Sequence, residues 1–492
     1  MPTMTPTVPL ICSTCRRVLK KQSSTAPRTS ALKKGLRSSW MLEKRLRDLG
    51  QDHIADLLEN NAFHLDPERI RQDLDAIDLD LVRQLMAGSH LYTPPRGDIH
   101  PAEVLPASFA TTKEALPFIE KGTHLLESGR IAALVVAGGQ GSRLGIEAPK
   151  GVVEVTPVKH KSLFQLHAEK ILALNRRFGV SIPLFVMTSR VNDADTKSFF
   201  GKHSFFGLES ESVHFFTQGL LPSLTPEGAF IISPEGGLFL NPDGHGGTLM
   251  ALKRNRCLET MEHLGIEEIF FFQVDNPLVQ VCDPLFIGLH ASQGAQMSSK
   301  VVRKISFEEK VGVITLIDGK TSLVEYSDMA DDLRYATDDR GEMLYWAGSI
   351  AIHMINRSFV EKITTEDLSL PYHRARKKIQ TLDVAGRTNE IEGIKFETFI
   401  FDALPLAEKS VTLEVFREHE FAPVKNRSGQ DSLESAMEMQ SSLHRSWIED
   451  AGVTLDPGIP VEISPLFALT REECLGREHD IPLSVEKELY LE

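Results

Sequence analysis

The chain has 492 residues, of which 41% are apolar and 25% are charged, so it is long enough for two to four globular domains of roughly 150 residues each. No apolar run reaches the roughly 18 residues that a membrane-spanning helix needs. The net charge is −14, but residues 1–40 hold eight Lys or Arg and no acid, which leaves −22 for residues 41–492. Such an acidic body disfavours nucleic acid as a partner. An acidic protein that binds an anionic ligand has to gather its cations in one cleft.

Residues 1–40 form a basic extension rich in Ser and Thr, a composition typical of an organelle transit peptide or of a disordered tail. A third interpretation is that translation starts at Met41, where an amphipathic pattern begins. We favour a disordered or non-native extension outside the fold. Cys12 and Cys15 have the spacing of zinc ligands, but the sequence has no second such pair, and few, scattered cysteines are typical of a reducing cytoplasm.

Residues 41–105 predict an N-terminal helical lobe, which ends at the breaker-rich run Thr93–Gly97. Residues 106–405 alternate apolar strands with helical stretches such as Leu163–Arg176, as expected for an α/β catalytic domain. Residues 406–492 have many breakers and few helical periods, which predicts a small separate C-terminal lobe of short β turns. The predicted strands are Ala132–Val136, Pro183–Thr188, Val213–Thr217, Ile269–Val274, Met297–Val302 and Gly312–Leu316.

The run from Ile131 to Gly151 combines a strand, a glycine-rich turn and two cations. Its first seven residues are apolar without alternation, as in a strand buried on both faces of a parallel sheet. The glycines that follow would turn the backbone with positive φ and let it approach a ligand, and a helix after them would add its positive end. Arg143 and Lys150 carry the cations, so the run predicts a polyphosphate cradle. The glycines of the turn are Gly138, Gly139 and Gly141.

This turn matches neither of two common glycine-rich phosphate motifs. The Gly-Lys-Ser/Thr ending of a P-loop is missing from it. A third glycine falls at Gly145, one residue too late for a dinucleotide-binding fingerprint. A P-loop NTPase is therefore disfavoured.

Asp275 ends the apolar run that starts at Phe270, at the edge of the sheet where the carboxyl ends of strands place a ligand. A carboxylate there suits Mg²⁺ shared with substrate phosphates, although a turn or helix-cap aspartate is the alternative. Asp243-Gly-His-Gly-Gly247 is a second tight turn, whose backbone amides would fit against a flat base or sugar. Lys395 and Lys425 stand beside apolar anchors, a setting that is also typical of solvated surface lysines.

These motifs stand in the order and at the spacing of a known enzyme family. Over most of residues 41–470 the chain resembles the eukaryotic-type UDP-sugar pyrophosphorylases, and most closely the UDP-N-acetylglucosamine pyrophosphorylases. The resemblance implies an α/β nucleotidyltransferase with a GT-A-like, Rossmann-type core of mixed or mostly parallel sheet, an N-terminal helical lobe and a small C-terminal lobe. The matching motifs are Ala137–Gly145, Pro149–Gly151, Thr217–Gly219, Asp243–Gly247, Val274–Asn276, Val324–Ser327, Gly393–Lys395 and Pro423–Asn426.

The resemblance also implies roles for residues of this chain. The nucleotide would be contacted by Val136, Ala137, Gly138, Gly139 and Gln218, with Gly244 closing on the uracil. Lys150 and Lys395 would bind the phosphates of UTP, and Lys425 would bind the phosphate of the sugar 1-phosphate. Asp275 would bind Mg²⁺. The sugar hydroxyls would face the backbone of Gly312 and the carboxylate of Glu325.

Two departures from the N-acetylglucosamine enzymes fall on expected sugar contacts. His245 stands where those enzymes have the Asn of Gly-Asn-Gly-Gly. Trp346-Ala-Gly-Ser349 replaces their Asn-Ala-Gly-Asn, so Ser349 takes the place of the second Asn. Gly-His-Gly is instead similar to the UDP-glucose branch. The sequence therefore leaves UDP-N-acetylglucosamine and UDP-glucose open as products, with His245 and Ser349 as candidate sugar-binding residues.

The implied reaction transfers a uridylyl group from UTP to a sugar 1-phosphate and releases pyrophosphate. The attacking phosphate oxygen is already ionised at neutral pH, so no general base is expected. Arg143, Lys150 and Mg²⁺ on Asp275 would neutralise the leaving group, while Lys395 and Lys425 align the attacking phosphate. The alternatives are a nucleotide-sugar-dependent glycosyltransferase and a non-catalytic UDP-sugar sensor. We expect UTP and a sugar 1-phosphate as partners, no nucleic acid or membrane, and a cytoplasmic monomer or weak homo-oligomer.

Overall fold

A computed structural model gives the fold of this chain. It describes residues 41–492 except residues 61, 63, 95, 96, 366–369, 384, 483 and 486. The predicted basic extension of residues 1–40, with Cys12 and Cys15, lies outside the described residues, and so does part of the run Thr93–Gly97.

The helices are α1 (residues 41–48), α2 (Asp52–Glu59), α3 (Pro67–Asp75), α4 (Leu79–Met86), α5 (Leu116–Glu127), α6 (Leu163–Phe178), α7 (Asp193–Lys202), α8 (Thr248–Arg254), α9 (Cys257–His263), α10 (Pro284–Gln293), α11 (Asp331–Arg334), α12 (Arg357–Thr365), α13 (Arg417–Glu420), α14 (Leu433–Asp450) and α15 (Arg471–Leu475). Side chains cap several of them, since the Asp66 and Asp78 carboxylates accept backbone N–H bonds at the starts of α3 and α4. Among the described residues, no helix is long and apolar enough to cross a membrane.

The strands are β1 (Ile99–Pro101), β2 (Ile131–Val136), β3 (Leu184–Thr188), β4 (Val213–Thr217), β5 (Leu220–Pro222), β6 (Leu240–Pro242), β7 (Glu268–Gln273), β8 (Met297–Arg303), β9 (Val313–Ile317), β10 (Lys320–Val324), β11 (Ala347–Asn356), β12 (His373–Leu382), β13 (Thr388–Glu397), β14 (Thr412–Glu414), β15 (Thr454–Leu455), β16 (Val461–Ile463), β17 (Ser484–Val485) and β18 (Leu489–Leu491). All six predicted strands are present, each within one residue at both ends.

A mixed central sheet organises the molecule. Its strands run in the order β1-β9-β11-β7-β2-β3-β4, with β10 added on β9 and with β8 between β11 and β14. β7, β2, β3 and β4 are mutually parallel, whereas β11 is antiparallel to β7, β8 and β9. The predicted α/β class, with a Rossmann-type core of mixed or mostly parallel sheet, is confirmed, and the central sheet is mixed.

The position of β2 explains why its sequence shows no alternation. Ile131, Ala133 and Val135 pack into a core with α5, α6 and α10 on one face of the sheet. Ala132 and Leu134 pack into a second core with α8, α9 and α12 on the other face. Both faces of the strand are covered, so every position has to be apolar.

Two parts of the chain differ from the sequence predictions. The helical prediction for residues 41–105 holds only as far as Met86, because the described residues beyond it run as loop and as the short strand β1. The prediction of few helical periods in residues 406–492 is wrong, since α14 has 18 residues and starts at a Ser432 capping box. The same C-terminal segment gives β14 to the central sheet, while Trp447, Ile448 and Val461 belong to a separate small core. The domain boundaries themselves stay predictions.

The contact between α5 and α10 is close enough to require glycine on both helices. A Cβ on Gly122 would lie 1.9 Å from the Pro284 carbonyl oxygen, and a Cβ on Gly288 would lie 1.7 Å from that of Phe118. These atoms are backbone, so a side chain there can be accommodated only if the helices move apart.

We predict that Gly122→Ala and Gly288→Ala each lower the free energy of unfolding by about 1–3 kcal/mol or more, as overpacking typically does. Gly201→Ala is the matched control, because Gly201 lies in α7 with no atom within 4 Å of its Cβ position, and Ala there should be neutral or stabilising by about 0.5–1 kcal/mol. Thermal unfolding of the three variants checks this. Equal melting temperatures would contradict the close packing.

Candidate active site

The glycine-rich turn follows β2 and is held by backbone and amide hydrogen bonds. The Ala137 N–H donates to the Met187 carbonyl at 2.8 Å. Asn192 Nδ2 donates to the Ala137 carbonyl at 2.9 Å and to the Gly139 carbonyl at 3.3 Å. The Lys150 N–H returns to the Gly139 carbonyl at 3.1 Å. The turn is therefore a closed loop beside the carboxyl ends of β2 and β3.

Space, rather than positive φ, explains most of the glycines in this turn. Only Gly145 has a left-handed backbone, with φ +81°, so the positive φ predicted for Gly138, Gly139 and Gly141 is wrong. A Cβ on Gly138 would lie 2.3 Å from the Gln218 amide nitrogen. A Cβ on Gly139 would meet no atom within 4 Å, so the backbone there faces open space that a ligand could enter.

The predicted helix directly after the turn is also wrong. Residues Ser142–Leu144 and Lys150–Val152 form single 3₁₀ turns, and α6 starts only at Leu163. The segment therefore brings no long helix dipole to the cleft, and its positive charge comes from side chains. Arg143 is exposed on the first of these 3₁₀ turns.

Lys150 and Asp275 form an ion pair beyond the ends of the neighbouring parallel strands β2 and β7. Lys150 Nζ lies 2.7 Å from Asp275 Oδ2, and the two side chains are only 18% and 11% exposed. The segment that carries Lys425 is tied to the same place, because the Val424 N–H donates to the Asp275 carbonyl at 2.8 Å. The structure thus brings two predicted phosphate-binding residues and the predicted metal-binding residue together.

Lys395 and Lys425, the other two lysines predicted to bind phosphate besides Lys150, are also close to carboxylates. Lys395 Nζ, near the end of β13, donates to Glu397 Oε1 at 2.7 Å. Lys425 Nζ lies 3.8 Å from Asp431 Oδ2. Each of these lysines is compensated by an acid, so a bound phosphate would have to compete with that carboxylate.

Gln218 and Gly244 lie on adjoining segments beside the glycine-rich turn. Gln218 follows β4 and packs on Gly138, while the next residue, Gly219, accepts the Asp243 N–H at 3.1 Å. Gly244 has φ +89°, and a Cβ there would lie 2.3 Å from the Thr398 carbonyl oxygen. Here glycine is required for both conformation and space. The structure thus groups the residues predicted to contact the nucleotide, namely Val136, Ala137, Gly138, Gly139, Gln218 and Gly244.

Three predicted sugar-binding residues lie together where β9, β10 and β11 meet. The Ser349 N–H donates to the Gly312 carbonyl at 2.8 Å. The register of β9 and β10 puts Val324 opposite Val313, so Glu325 continues alongside Gly312. β11 has a bulge directly after Ser349, and bulges of this kind re-aim side chains beside functional sites.

His245 packs among aromatic rings next to the Gly244 turn. Its ring stacks on Phe399 with centroids 5.3 Å apart and meets the edge of Phe401 at 5.8 Å. His245 Nδ1 accepts the Ile400 N–H at 3.2 Å. Burial lowers the pKa of His245 to about 4, so the ring is neutral at pH 7 and carries its proton on Nε2. His245 therefore offers a ligand one donor, whereas an asparagine offers both a donor and an acceptor.

His373 was missed by sequence reasoning, although it lies between His245 and Glu325. Its ring centroid is 4.4 Å from that of Phe399 and 3.8 Å from that of Tyr92, and its Nε2 lies 2.9 Å from Asp402 Oδ2. Burial raises the pKa of Glu325, and His373 opposes that rise. Because its partners are far apart in the sequence, no local pattern could have identified this residue.

Arg427 is a second residue that sequence reasoning missed. Its Nη1 lies 4.0 Å from the position of a Cβ on Gly145, so the segment after Lys425 passes close to the glycine-rich turn. A second arginine thereby joins Arg143 at this end of the cleft. The sequence holds one signal for Arg427, since it is a further cation two residues after Lys425 and directly after the motif Pro423–Asn426.

The donor set at Asp275 fits a metal ion that is shared with a substrate. Within the part of the chain that the structure describes, no group of three or more His, Cys, Asp or Glu side chains could hold a metal ion. Mg²⁺ is commonly bound by one or two carboxylates together with substrate phosphates and water. Asp275 supplies one such carboxylate beside Lys150, the lysine predicted to bind phosphate.

A protein-family model described as UTP–glucose-1-phosphate uridylyltransferase matches residues 93–471. The matched range includes the central sheet from β1 to β14 and all the residues of the cleft. The chain belongs to this family. The resemblance inferred from the sequence motifs is confirmed.

Individual relatives agree with the family match. The Arabidopsis thaliana protein named UDP-N-acetylglucosamine diphosphorylase 1 is 34% identical over 479 residues, which cover 90% of this chain and 92% of the relative. The Saccharomyces cerevisiae UDP-N-acetylglucosamine pyrophosphorylase is 33% identical over 440 residues, covering 86% and 90%. The crystal structure of the Trypanosoma brucei UDP-N-acetylglucosamine pyrophosphorylase is similar at a TM-score of 0.77 and 27% identity, covering 92% of this chain and 98% of that one. The roles of individual residues stay predictions.

Proposed function

We propose that this protein is a UTP:sugar-1-phosphate uridylyltransferase, which makes a UDP-sugar and pyrophosphate. Membership of the uridylyltransferase family and the names of its relatives support this class of reaction. The observation that carries the proposal furthest is the Lys150–Asp275 pair at 2.7 Å beside the glycine-rich turn. It joins a cation for phosphate and a carboxylate for a metal at the carboxyl edge of the sheet, where α/β proteins bind ligands.

The chemistry would depend on positioning and charge neutralisation. A sugar 1-phosphate is already an anion at neutral pH, so its oxygen can attack the α-phosphorus of UTP in line without a general base. Lys395 on the UTP phosphates and Lys425 on the sugar phosphate would together align the attacking phosphate against its repulsion from UTP. Arg143 and Lys150 would neutralise the departing pyrophosphate. Mg²⁺ on Asp275, when bound, would supply further neutralisation of the triphosphate.

The proposed substrates are UTP and either N-acetylglucosamine 1-phosphate or glucose 1-phosphate. The relatives are named for UDP-N-acetylglucosamine, which supports the first sugar. The ring of His245, with one free donor, and the short side chain of Ser349 support acceptance of the second. A cytoplasmic monomer or weak homo-oligomer, with Mg²⁺ as cofactor, remains part of the proposal.

Pyrophosphate release from UTP, measured with glucose, N-acetylglucosamine and galactose 1-phosphates, tests the function. We predict turnover with at least one of these sugars and a fall of about a hundredfold or more in kcat for Lys150→Ala, because that charge faces phosphate in a partly desolvated cleft. Lys362→Ala is the control, since Lys362 lies on α12 with half of its side chain exposed. Glycosyl transfer from a UDP-sugar, or UDP-sugar binding without any turnover, would contradict the proposal. A Lys150→Ala variant with normal turnover would remove that residue from the mechanism.

For the sugar preference, we predict appreciable use of glucose 1-phosphate beside N-acetylglucosamine 1-phosphate. The double variant His245→Asn/Ser349→Asn should shift the ratio of kcat/KM values toward N-acetylglucosamine by about tenfold or more, because each unmade polar contact in a buried site costs about 1–3 kcal/mol. The exposed pair His263→Asn/Ser446→Asn, on α9 and α14, is the control. An unchanged ratio in the first double variant would show that other residues set the sugar.

A further inference from the structure

The loop between β7 and α10, residues 274–283, is held by buried side chains that the reaction itself does not use. From α6, His167 Nε2 donates to the Val274 carbonyl at 2.8 Å. Lys170 Nζ, also from α6, donates to the Pro277 and Val279 carbonyls at 2.5 and 2.8 Å. This β7–α10 loop carries Asp275, so its rigidity bears directly on the proposed site.

Asn276 connects this loop to the segment that leads to Lys425. The side chain is buried, with 4% exposed. Its Nδ2 donates to the Glu420 carbonyl at 2.7 Å, while its Oδ1 accepts the Leu278 N–H at 3.3 Å and the Ala422 N–H at 3.1 Å. One amide therefore satisfies backbone groups on both segments, directly next to Asp275.

Lys300 makes a second connection between the same segments, from the sheet below them. Its side chain is fully buried on β8. Its Nζ lies 2.8 Å from Asp283 Oδ2 and 2.8 Å from each carboxylate oxygen of Glu420. Burial by itself would lower the pKa of Lys300, but Asp283 and Glu420 outweigh burial and raise it. Asp283 also caps α10 through the Leu285 N–H at 2.9 Å.

Both connections join the two segments that carry charges of the cleft, Asp275 and Lys425. Asn276 follows Asp275, and Lys425 follows Val424, whose N–H donates to the Asp275 carbonyl at 2.8 Å. An in-line attack between two phosphates tolerates little error, since a misplacement of about 1 Å can cost about a hundredfold in rate. On its other side Lys425 is followed by the exposed residues 426–430, and its own N–H donates to the Asp431 carbonyl at 2.7 Å.

We propose that Asn276 and Lys300 are positioning residues that fix Lys425 relative to Asp275, so that the sugar phosphate is presented in line to UTP. The inference rests on the proposed uridylyltransferase function and adds two residues to it. Neither residue would touch a substrate. Their effect on turnover should therefore act through Lys425 and disappear when Lys425 is removed.

A double-mutant cycle tests this dependence. Asn276→Ala should lower kcat/KM for the sugar 1-phosphate about ten- to a hundredfold when Lys425 is present, but by less than about threefold in a Lys425→Ala background. Gln51→Ala is the matched control. Gln51 is also a buried amide with three hydrogen bonds, to the Leu49 and Gly228 carbonyls and from the Phe230 N–H, but it lies in the N-terminal lobe. Its effect should be small and equal in both backgrounds.

The triple variant Lys300→Met/Asp283→Asn/Glu420→Gln tests the second connection and also covers the case in which Asn276→Ala fails to fold. It removes the three charges together, so that no buried charge is left without its partner, and Asn can still cap α10. It should show the same dependence on Lys425.

The outcomes distinguish a failure of the positioning roles from a failure of the proposed uridylyltransferase function. Wild-type turnover combined with equal losses from Asn276→Ala in both backgrounds would overturn the role of Asn276. A triple variant with wild-type kcat/KM would overturn that of Lys300. No pyrophosphate release by the wild-type protein with any sugar 1-phosphate would overturn the proposed function and this inference with it.

Discussion

Lys150 and Asp275 are 125 residues apart in the sequence, yet their side chains meet at 2.7 Å because β2 and β7 are adjacent parallel strands. The acidic body of the protein makes such pairs necessary. Residues 41–492 have a net charge of −22, and the three lysines of the cleft are each compensated by a neighbouring acid: Lys150 by Asp275, Lys395 by Glu397 and Lys425 by Asp431. We propose that a bound polyphosphate replaces these carboxylates as the partner of the lysines. Lys150 would move onto phosphate, and the carboxylate of Asp275 would become available to a metal ion.

The helices packed on both faces of the central sheet hold the strand end before Lys150 in place. Residues that alternate along β2 fill two separate cores, so the strand end that carries the glycine-rich turn cannot shift without disturbing both faces. Antiparallel β11 brings Ser349 to Gly312, while the β13 end brings Lys395 and the aromatic residues after it to the Gly244 turn. The residues predicted to contact the nucleotide, the phosphates and the sugar therefore come from different elements, on the central sheet and on the separate β12–β13 sheet.

Sequence reasoning succeeded where a local pattern has one physical cause. Continuous apolar runs predicted strands such as β2 and β7, since strands buried on both faces of a sheet are predominantly apolar. β11 was missed because its first residues, Ala347-Gly-Ser, have low strand propensity and are held by two neighbouring strands, β8 and β9. α14 was missed because its apolar residues are divided between two cores, with Ala436 in the large core of the central sheet and Trp447 and Ile448 in the small C-terminal core. The glycines were identified, but the reason for them was not, since the nearby Gln218 amide that excludes a Cβ at Gly138 comes from a distant segment. His373 and Arg427 depend on similar long-range contacts.

The exchange of partners at Lys150 is the central claim, and a crystal structure with UTP and Mg²⁺ tests it most directly. The account predicts that the 2.7 Å contact between Lys150 Nζ and Asp275 Oδ2 is broken, with Lys150 on a phosphate oxygen and Asp275 on the metal ion. Nucleotide bound elsewhere, or bound in the cleft while the Lys150–Asp275 pair stays intact, would contradict it.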